Sequence, residues 1–217
     1  MTSFMREPRR CFVCKTTCDY QILTSTNAFG SPDLDLRPPE MKRSTMMWWV
    51  HKCPVCGYVA PDVSDYTMIT KKWLQTDRYK NCDGIDFTSE LAKRFYQLYM
   101  ISVHENCPLD AFFALLHAAW SCDDCEDVEN ATRCRKLALL HYDDALPIYI
   151  MREEEPRTIQ VVKADIMRRA GLFEELKNEY QSIHLLNERF NQIIAFQLKK
   201  AAAGDRKCYT VEDAIGG

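Results

Sequence analysis

The sequence predicts a mainly α-helical protein that carries a small cysteine-built β unit at its N-terminal end. Three observations predict it. Of the 7 Gly and 9 Pro among 217 residues, eight lie before residue 62, so the long remainder is nearly free of helix breakers. From residue 88 onward apolar residues recur at helical spacing, whereas short β-branched and aromatic runs lie before residue 52. Finally, two C-x2-C pairs sit beside those runs.

A chain that is 47% hydrophobic can bury a sizeable core and is not disordered by composition. The formal net charge of −3 hides an asymmetry. Residues 1–60 carry 8 Lys/Arg against 5 Asp/Glu, and residues 61–217 carry 20 against 26. Neither balance announces nucleic acid or an anionic membrane as partner. The opening MTSFMREPRRCFVC has no apolar stretch of signal-peptide length. No segment approaches the ~20 apolar residues of a membrane span, so no membrane partner is expected. An odd count of 11 cysteines without an export signal points to reduced thiols, metal ligands and a cytoplasmic location.

Along the chain, residues 1–10 read as a charged lead-in before Cys11-Phe-Val-Cys14. Residues 20–26 read as a strand, residues 27–44 as a loop opposed to regular structure by Gly30, Pro32, Pro38 and Pro39, and residues 45–51 as a second strand. That strand leads into Cys53-Pro-Val-Cys56-Gly57-Tyr58. Residues 65–76 suggest a short helix and residues 81–84 a turn. Thr88 or Ser89 caps a helix to about His104, whose apolar positions include Leu91, Phe95 and Leu98. Pro108 suits the start of the next, which continues through Leu109, Phe112, Phe113, Leu116 and Trp120. One more helix is expected over 126–146. A break at Glu153-Glu-Glu-Pro156 precedes a pair over 157–169 and 172–203, joined at Gly171. The division expected is a ribbon over 1–62, a helical region over 63–203 and a flexible tail over 204–217.

The helices come in pairs, and residues 157–183 have features of a tetratricopeptide-like helix-turn-helix repeat. Ala164 is the small residue at a close helix crossing, Gly171 marks the turn, and Phe173 and Tyr180 are the aromatics of the second helix. Residues 112–139, with Trp120 near their turn, look like a more degraded copy; a plain helical bundle is the competing architecture.

The chemistry rests on C-x2-C, 38 intervening residues, then C-P-x-C-G-Y. A C-x2-C knuckle aims two thiolates at one point from a single tight turn, and two knuckles complete a tetrahedron. Thiolates suit zinc, a borderline-soft ion with no geometric preference of its own, so Cys11, Cys14, Cys53 and Cys56 are the expected ligands of one structural Zn2+ in a zinc ribbon. Strands 20–26 and 45–51 are expected to form the hairpin that brings the knuckles together. The spacing is wider than is common, and Lys15 stands where a glycine often sits. Iron in a rubredoxin-like site is the alternative metal, and merely packed cysteines the bland reading. Four protein ligands leave no open position, so the metal serves folding rather than hydrolysis.

Cys122-Asp-Asp-Cys125 is a further C-x2-C, with Cys134 and His117 near in sequence. It suggests a second metal site or a thiol redox pair, against loop cysteines without a role; Asp123 and Asp124 would disfavour the thiolate that exchange chemistry needs. Trp48 and Trp49 beside Lys42, Arg43 and Lys52 have the residue types of a nucleic-acid contact, against core packing of at least one Trp, one facing inward and one outward. The histidines at 51, 104, 117, 141 and 184 form no metal-ligand spacing, and no Walker loop, dinucleotide fingerprint or nucleophile elbow is present.

In this combination the chain resembles the bacterial domain of unknown function 2225 family. The matching residues are Cys11, Cys14, the run Trp49-Val-His-Lys-Cys-Pro-Val-Cys-Gly-Tyr-Val-Ala60 and the stretch from Thr158 to Glu175. The segment Phe29-Gly-Ser-Pro-Asp-Leu-Asp-Leu-Arg37 departs from the basic stretch of many members. The resemblance implies a metal and a tetratricopeptide-like scaffold, and brings no activity with it. The function expected is a non-catalytic adaptor for a protein or peptide partner. A nucleic-acid-binding ribbon, with Arg37, Lys42, Arg43 and Lys52 on one face, is the first alternative. A thiol redox or iron electron-transfer protein is the second.

Overall fold

The structure, a computed structural model, describes residues 1–152 and 158–216. The expected break at Glu153–Pro156, the start of the next helix at Arg157 and the last residue, Gly217, lie outside the described residues.

Two small antiparallel hairpins open the chain. Strands β1 (Ser3–Arg10) and β2 (Thr17–Ser25) pair in register from Phe4 opposite Leu23 to Arg10 opposite Thr17. The first cysteine pair is the turn between them. Strands β3 (His51–Lys52) and β4 (Val59–Ala60) likewise flank the second pair. This corrects two expectations. The lead-in is a strand, and the hairpin partner of β2 is β1 rather than residues 45–51. Residues 43–48 instead form a 3-10 turn. Its cause is local: the Thr45 hydroxyl donates to the Lys42 carbonyl and accepts from Trp49 Nε1, bonds that a strand would forgo. Without strand alternation, both tryptophans are half-buried, Trp48 against Phe4 and Trp49 against His117.

The short helices α1 (Lys71–Leu74) and α2 (Asp77–Lys80) replace the single helix expected over 65–76. Helix α3 (Glu90–His104) starts where Ser89 accepts from Ala92 N–H, and α4 (Pro108–Asp123) starts on Pro108. Helix α4 is the centre of the body. It packs on α3, on α5 (Val128–Leu140) and on α6 (Tyr142–Arg152), and it is apolar nearly all round, as a fully enclosed helix must be. The expected helix over 126–146 therefore divides at His141.

Helix α7 (Thr158–Arg169) turns at Gly171 into α8 (Phe173–Tyr180). Gly171 has φ +77°, and a Cβ there would run into the Arg206 guanidinium. Ala164 is fully buried, and the Tyr180 hydroxyl donates to the Gln160 carbonyl across this pair. The second helix ends early and resumes as α9 (Glu188–Ala202), because Asn187 caps a new start and Asn191 brackets the backbone of Leu185 on both sides.

The C-terminal segment is not loose. It carries α10 (Val211–Ile215), begun by a capping box between Thr210 and Asp213. Its Tyr209 carbonyl accepts from Leu34 N–H, and Val211 N–H donates to Pro32. One continuous apolar cluster runs from Cys11 and Cys53 through Phe95 and Phe112 to Ile166, so the β unit and the helices share a core. No described helix is long and apolar enough to cross a membrane.

Candidate metal centre

The two knuckles are built alike. Cys11 N–H donates to the Thr16 carbonyl and Lys15 N–H to the Cys11 carbonyl, while Cys53 N–H donates to Tyr58 and Gly57 N–H to Cys53. In both, the residue after the second cysteine turns left-handed: Lys15 at φ 63° and Gly57 at φ 80°. The sequence spacing dictates this, because two thiols three residues apart meet only if the chain doubles back at once. Lys15 takes the strained conformation without glycine's freedom, and its ammonium sits 3.8 Å over the Phe12 ring. The second knuckle is seated on the helical body by Tyr79, whose hydroxyl donates to the Gly57 carbonyl.

The four sulfurs of Cys11, Cys14, Cys53 and Cys56 lie within 4.8 Å of one another, the one such ligand group among the described residues. Cys11 and Cys56 Sγ are 3.6 Å apart, as are Cys14 and Cys53. A disulfide would need about 2.05 Å. A tetrahedron of sulfurs about 2.3 Å from one ion has edges of about 3.8 Å. The spacing therefore matches a shared ion, and the hairpins that could not be joined by 20–26 and 45–51 are joined here by the sulfurs.

The thiols of the centre are shifted in opposite directions. Burial raises the Cys11 thiol, opposed by the amides of Cys14 and Val13 that face its sulfur. Burial also raises Cys56 strongly, against a backbone hydrogen bond from Tyr58. At Cys14 burial acts upward too, but the Thr16 hydroxyl and amide prevail and bring it down to about 6. No lysine or arginine pairs with any of these sulfurs among the described residues. Tyr20 lies against the centre: burial first, then the charges of Cys53, Cys18 and Cys11 and a hydrogen bond with Cys53, raise its buried phenol. An ion-bound thiolate at Cys53 would give that hydroxyl an acceptor. The residues present thus fit a soft divalent cation. Sequence reasoning missed Tyr20, though its place in β2, six residues past Cys14, was a usable signal.

The other cysteine pair, Cys122 and Cys125, belongs to no group of three or more metal-ligating side chains among the described residues. Cys122 is buried, and its thiol is raised first by a hydrogen bond with Cys134 and then by burial; Cys125 is exposed. Of the expected basic face, three members are committed to the protein itself. Arg37 is buried and donates to both Asp124 carboxylate oxygens at 2.7 and 2.6 Å, Arg43 pairs with Asp33, and Lys52 donates to Gln97. Lys42 is exposed.

A second polar assembly went unforeseen. The loop over 27–44 carries Asp35, fully buried, to the far end of α4, where it accepts from Trp120 Nε1 at 2.7 Å and Arg169 at 2.9 Å. Asp123 accepts from Arg135 and Arg169, and Arg168 is enclosed by Asp165, Gln197 and the carbonyls of Asp205 and Lys207. These partners lie up to 134 residues apart. The Asp-Leu-Asp-Leu alternation of residues 33–36 was the one local hint.

The fold and this centre define a mainly helical protein with a small four-cysteine unit at its N-terminal end. No family model matches the chain, and no curated protein or solved structure is significantly similar to it.

Proposed function

We propose that Cys11, Cys14, Cys53 and Cys56 hold one structural zinc ion and that the protein is a non-catalytic adaptor for a protein or peptide partner. The observation that carries the first part is the set of four converging sulfurs without a counter-charge. Four protein ligands close the coordination shell, leaving no position at which a substrate or water could be activated. Iron would fit the same sulfurs, but zinc binds such a site more tightly than ferrous iron does. The ion would fix the two hairpins to one another, which is folding energy for a unit with little core of its own.

The second part is supported by the α7–α8 hairpin, with Ala164 at its crossing and Tyr180 bonded across it. These are the features of tetratricopeptide-like pairs, whose stacked helices offer grooves to peptides. The resemblance to the domain of unknown function 2225 family implies the metal and the helical scaffold, and brings no activity with it. A cytoplasmic site of action, where free thiols persist, fits this reading.

Metal analysis of the purified chain tests the first part: about one zinc per chain is expected, and near-complete loss in Cys53→Ser. Selection from a displayed peptide library against the metal-loaded chain tests the second. Enriched peptides competing for one surface are expected; a folded, loaded chain that enriches none would refute the adaptor.

A further inference from the structure

Between the β unit and the helices lies a cleft of about 380 Å³. Clefts of about 300–1,000 Å³ are the usual size for small-ligand and side-chain recognition. Trp49, Tyr58, Phe95, Phe113 and His117 are among the residues that line it. The rings are already in contact with one another: His117 lies 5.4 Å from Trp49, 5.1 Å from Phe95 and 6.3 Å from Phe113. Tyr66, 76% exposed, stands at the rim with an edge against Phe12.

The charge of this cleft has one sign. Asp65, Glu105 and Asp110 line it, and no lysine or arginine does. Asp65 and Asp110 are exposed and have no ion-pair partner among the described residues. Glu105 uses one oxygen to hold Thr67 and the Met68 amide at the rim. The His117 ring nitrogens have no hydrogen-bond partner among the described residues either. Burial lowers this imidazole to about 4, so at neutral pH it stands in the wall uncharged, able to accept a hydrogen bond.

An aromatic-walled slot with three carboxylates and no cation is complementary to a flat cation. A guanidinium has that shape: it stacks on aromatic faces, is weakly hydrated, and carries five N–H donors for surrounding acceptors. An ammonium is more strongly hydrated and loses more on entering such walls.

We propose that this cleft receives an arginine side chain of a partner polypeptide, the guanidinium stacking among Trp49, Phe113 and His117 and facing Asp65 and Asp110. This rests on the adaptor reading and gives that reading a specificity.

The test uses the full, metal-loaded chain and fluorescent peptide pools, randomised except for a central Arg, Lys, citrulline, Glu or Phe. Citrulline keeps the shape of arginine and removes its charge. The Arg pool is expected to bind about tenfold tighter than the citrulline pool, the size of one desolvated charged contact. Asp65→Asn with Asp110→Asn, both at exposed positions, is expected to erase that preference, and His117→Gln to weaken the Arg pool. Equal binding of the Arg and citrulline pools, or a preference that survives the double substitution, overturns the proposal. If the Glu or Phe pool binds best, the cleft assignment fails and the adaptor reading stands. If no pool binds, both fall. Free arginine methyl ester binding as tightly as the Arg pool would make this a small-molecule site and overturn the peptide occupant.

Discussion

At the cysteine cluster four acidic groups converge with no cationic side chain among them; at the far end of α4, Asp35, Asp123, Asp124 and Asp165 meet Arg37, Arg135, Arg168 and Arg169. Both assemblies tie segments distant in sequence, and both are largely buried. They differ in where the balancing charge comes from. The second is neutral within the chain, so every charge has a partner and nothing further is required. The first has no opposite charge beside it, and burial keeps thiols such as Cys11 and Cys56 neutral unless a cation replaces their protons. Charge balance, more than burial, separates a structural network from a site that awaits an ion.

The largest effect expected to sharpen this contrast is at the sulfurs. Cys53→Ser, or stripping with a strong chelator, is expected to release the ion and destabilise the hairpins by about 5 kcal/mol or more. Hydrogen exchange would show it as lost protection in β1–β4, with α7–α9 retained. The mirror experiment is Asp35→Ala, which leaves Arg169 and the Trp120 indole buried without their acceptor. A loss of about 3–5 kcal/mol by denaturant unfolding is expected, with metal content unchanged. If Asp35→Ala also emptied the cysteine site, the two assemblies would not be independent.

Acid should strain the body in two steps. The His117 imidazole is lowered to about 4 by burial, although Asp35 acts upward on it. Its unfolded form binds a proton near pH 6.5, so the folded state is proton-poor between those values and stability falls as pH drops from about 6.5 to 4. The size is on the order of 3 kcal/mol, and His51 and His141, also lowered by burial, act with the same sign. Asp123 is held below its ordinary range despite burial, chiefly by its hydrogen bonds with Arg135 and that residue's charge; its contribution is lost only as pH falls through that lower value. Unfolding midpoints between pH 4 and 7 would test this, and His117→Leu is expected to flatten the upper part of the curve.

The smallest effect compares the knuckles themselves. Lys15→Gly is expected to stabilise by about 0.5 kcal/mol, relief of left-handed strain being offset by a floppier unfolded chain and a lost ring contact. Gly57→Ala at the matching position is expected to cost about 1–2 kcal/mol. Thermal unfolding of the metal-loaded variants reads both. Effects of the same sign would deny that the knuckles are equivalent.

What was legible in the sequence follows the range of the forces involved. The cysteine centre was legible because each C-x2-C knuckle is a local spacing, and helices α3 and α4 because Ser89 and Pro108 mark their starts. Strand β1 was missed because its half-buried positions are Phe4, Glu7 and Arg9, so its exposure alternates without an apolar alternation in the sequence. It is held by pairing with β2 across the knuckle turn. The 3-10 turn at 43–48 was read as a strand because Trp and Val favour sheets, and the Thr45 side chain decided otherwise. Asp35 was invisible for a different reason: its partners are 85 and 134 residues away. The C-terminal helix did carry a local sign, Thr210 three residues before Asp213, that composition alone concealed.

The central claim is that four sulfurs share one ion, and X-ray absorption at the metal edge of the purified chain tests it most directly. Zinc at about one equivalent, with a shell of about four sulfurs at ~2.3 Å, is the expected result. A shell containing nitrogen or oxygen, or a folded chain with no stoichiometric metal, would contradict it.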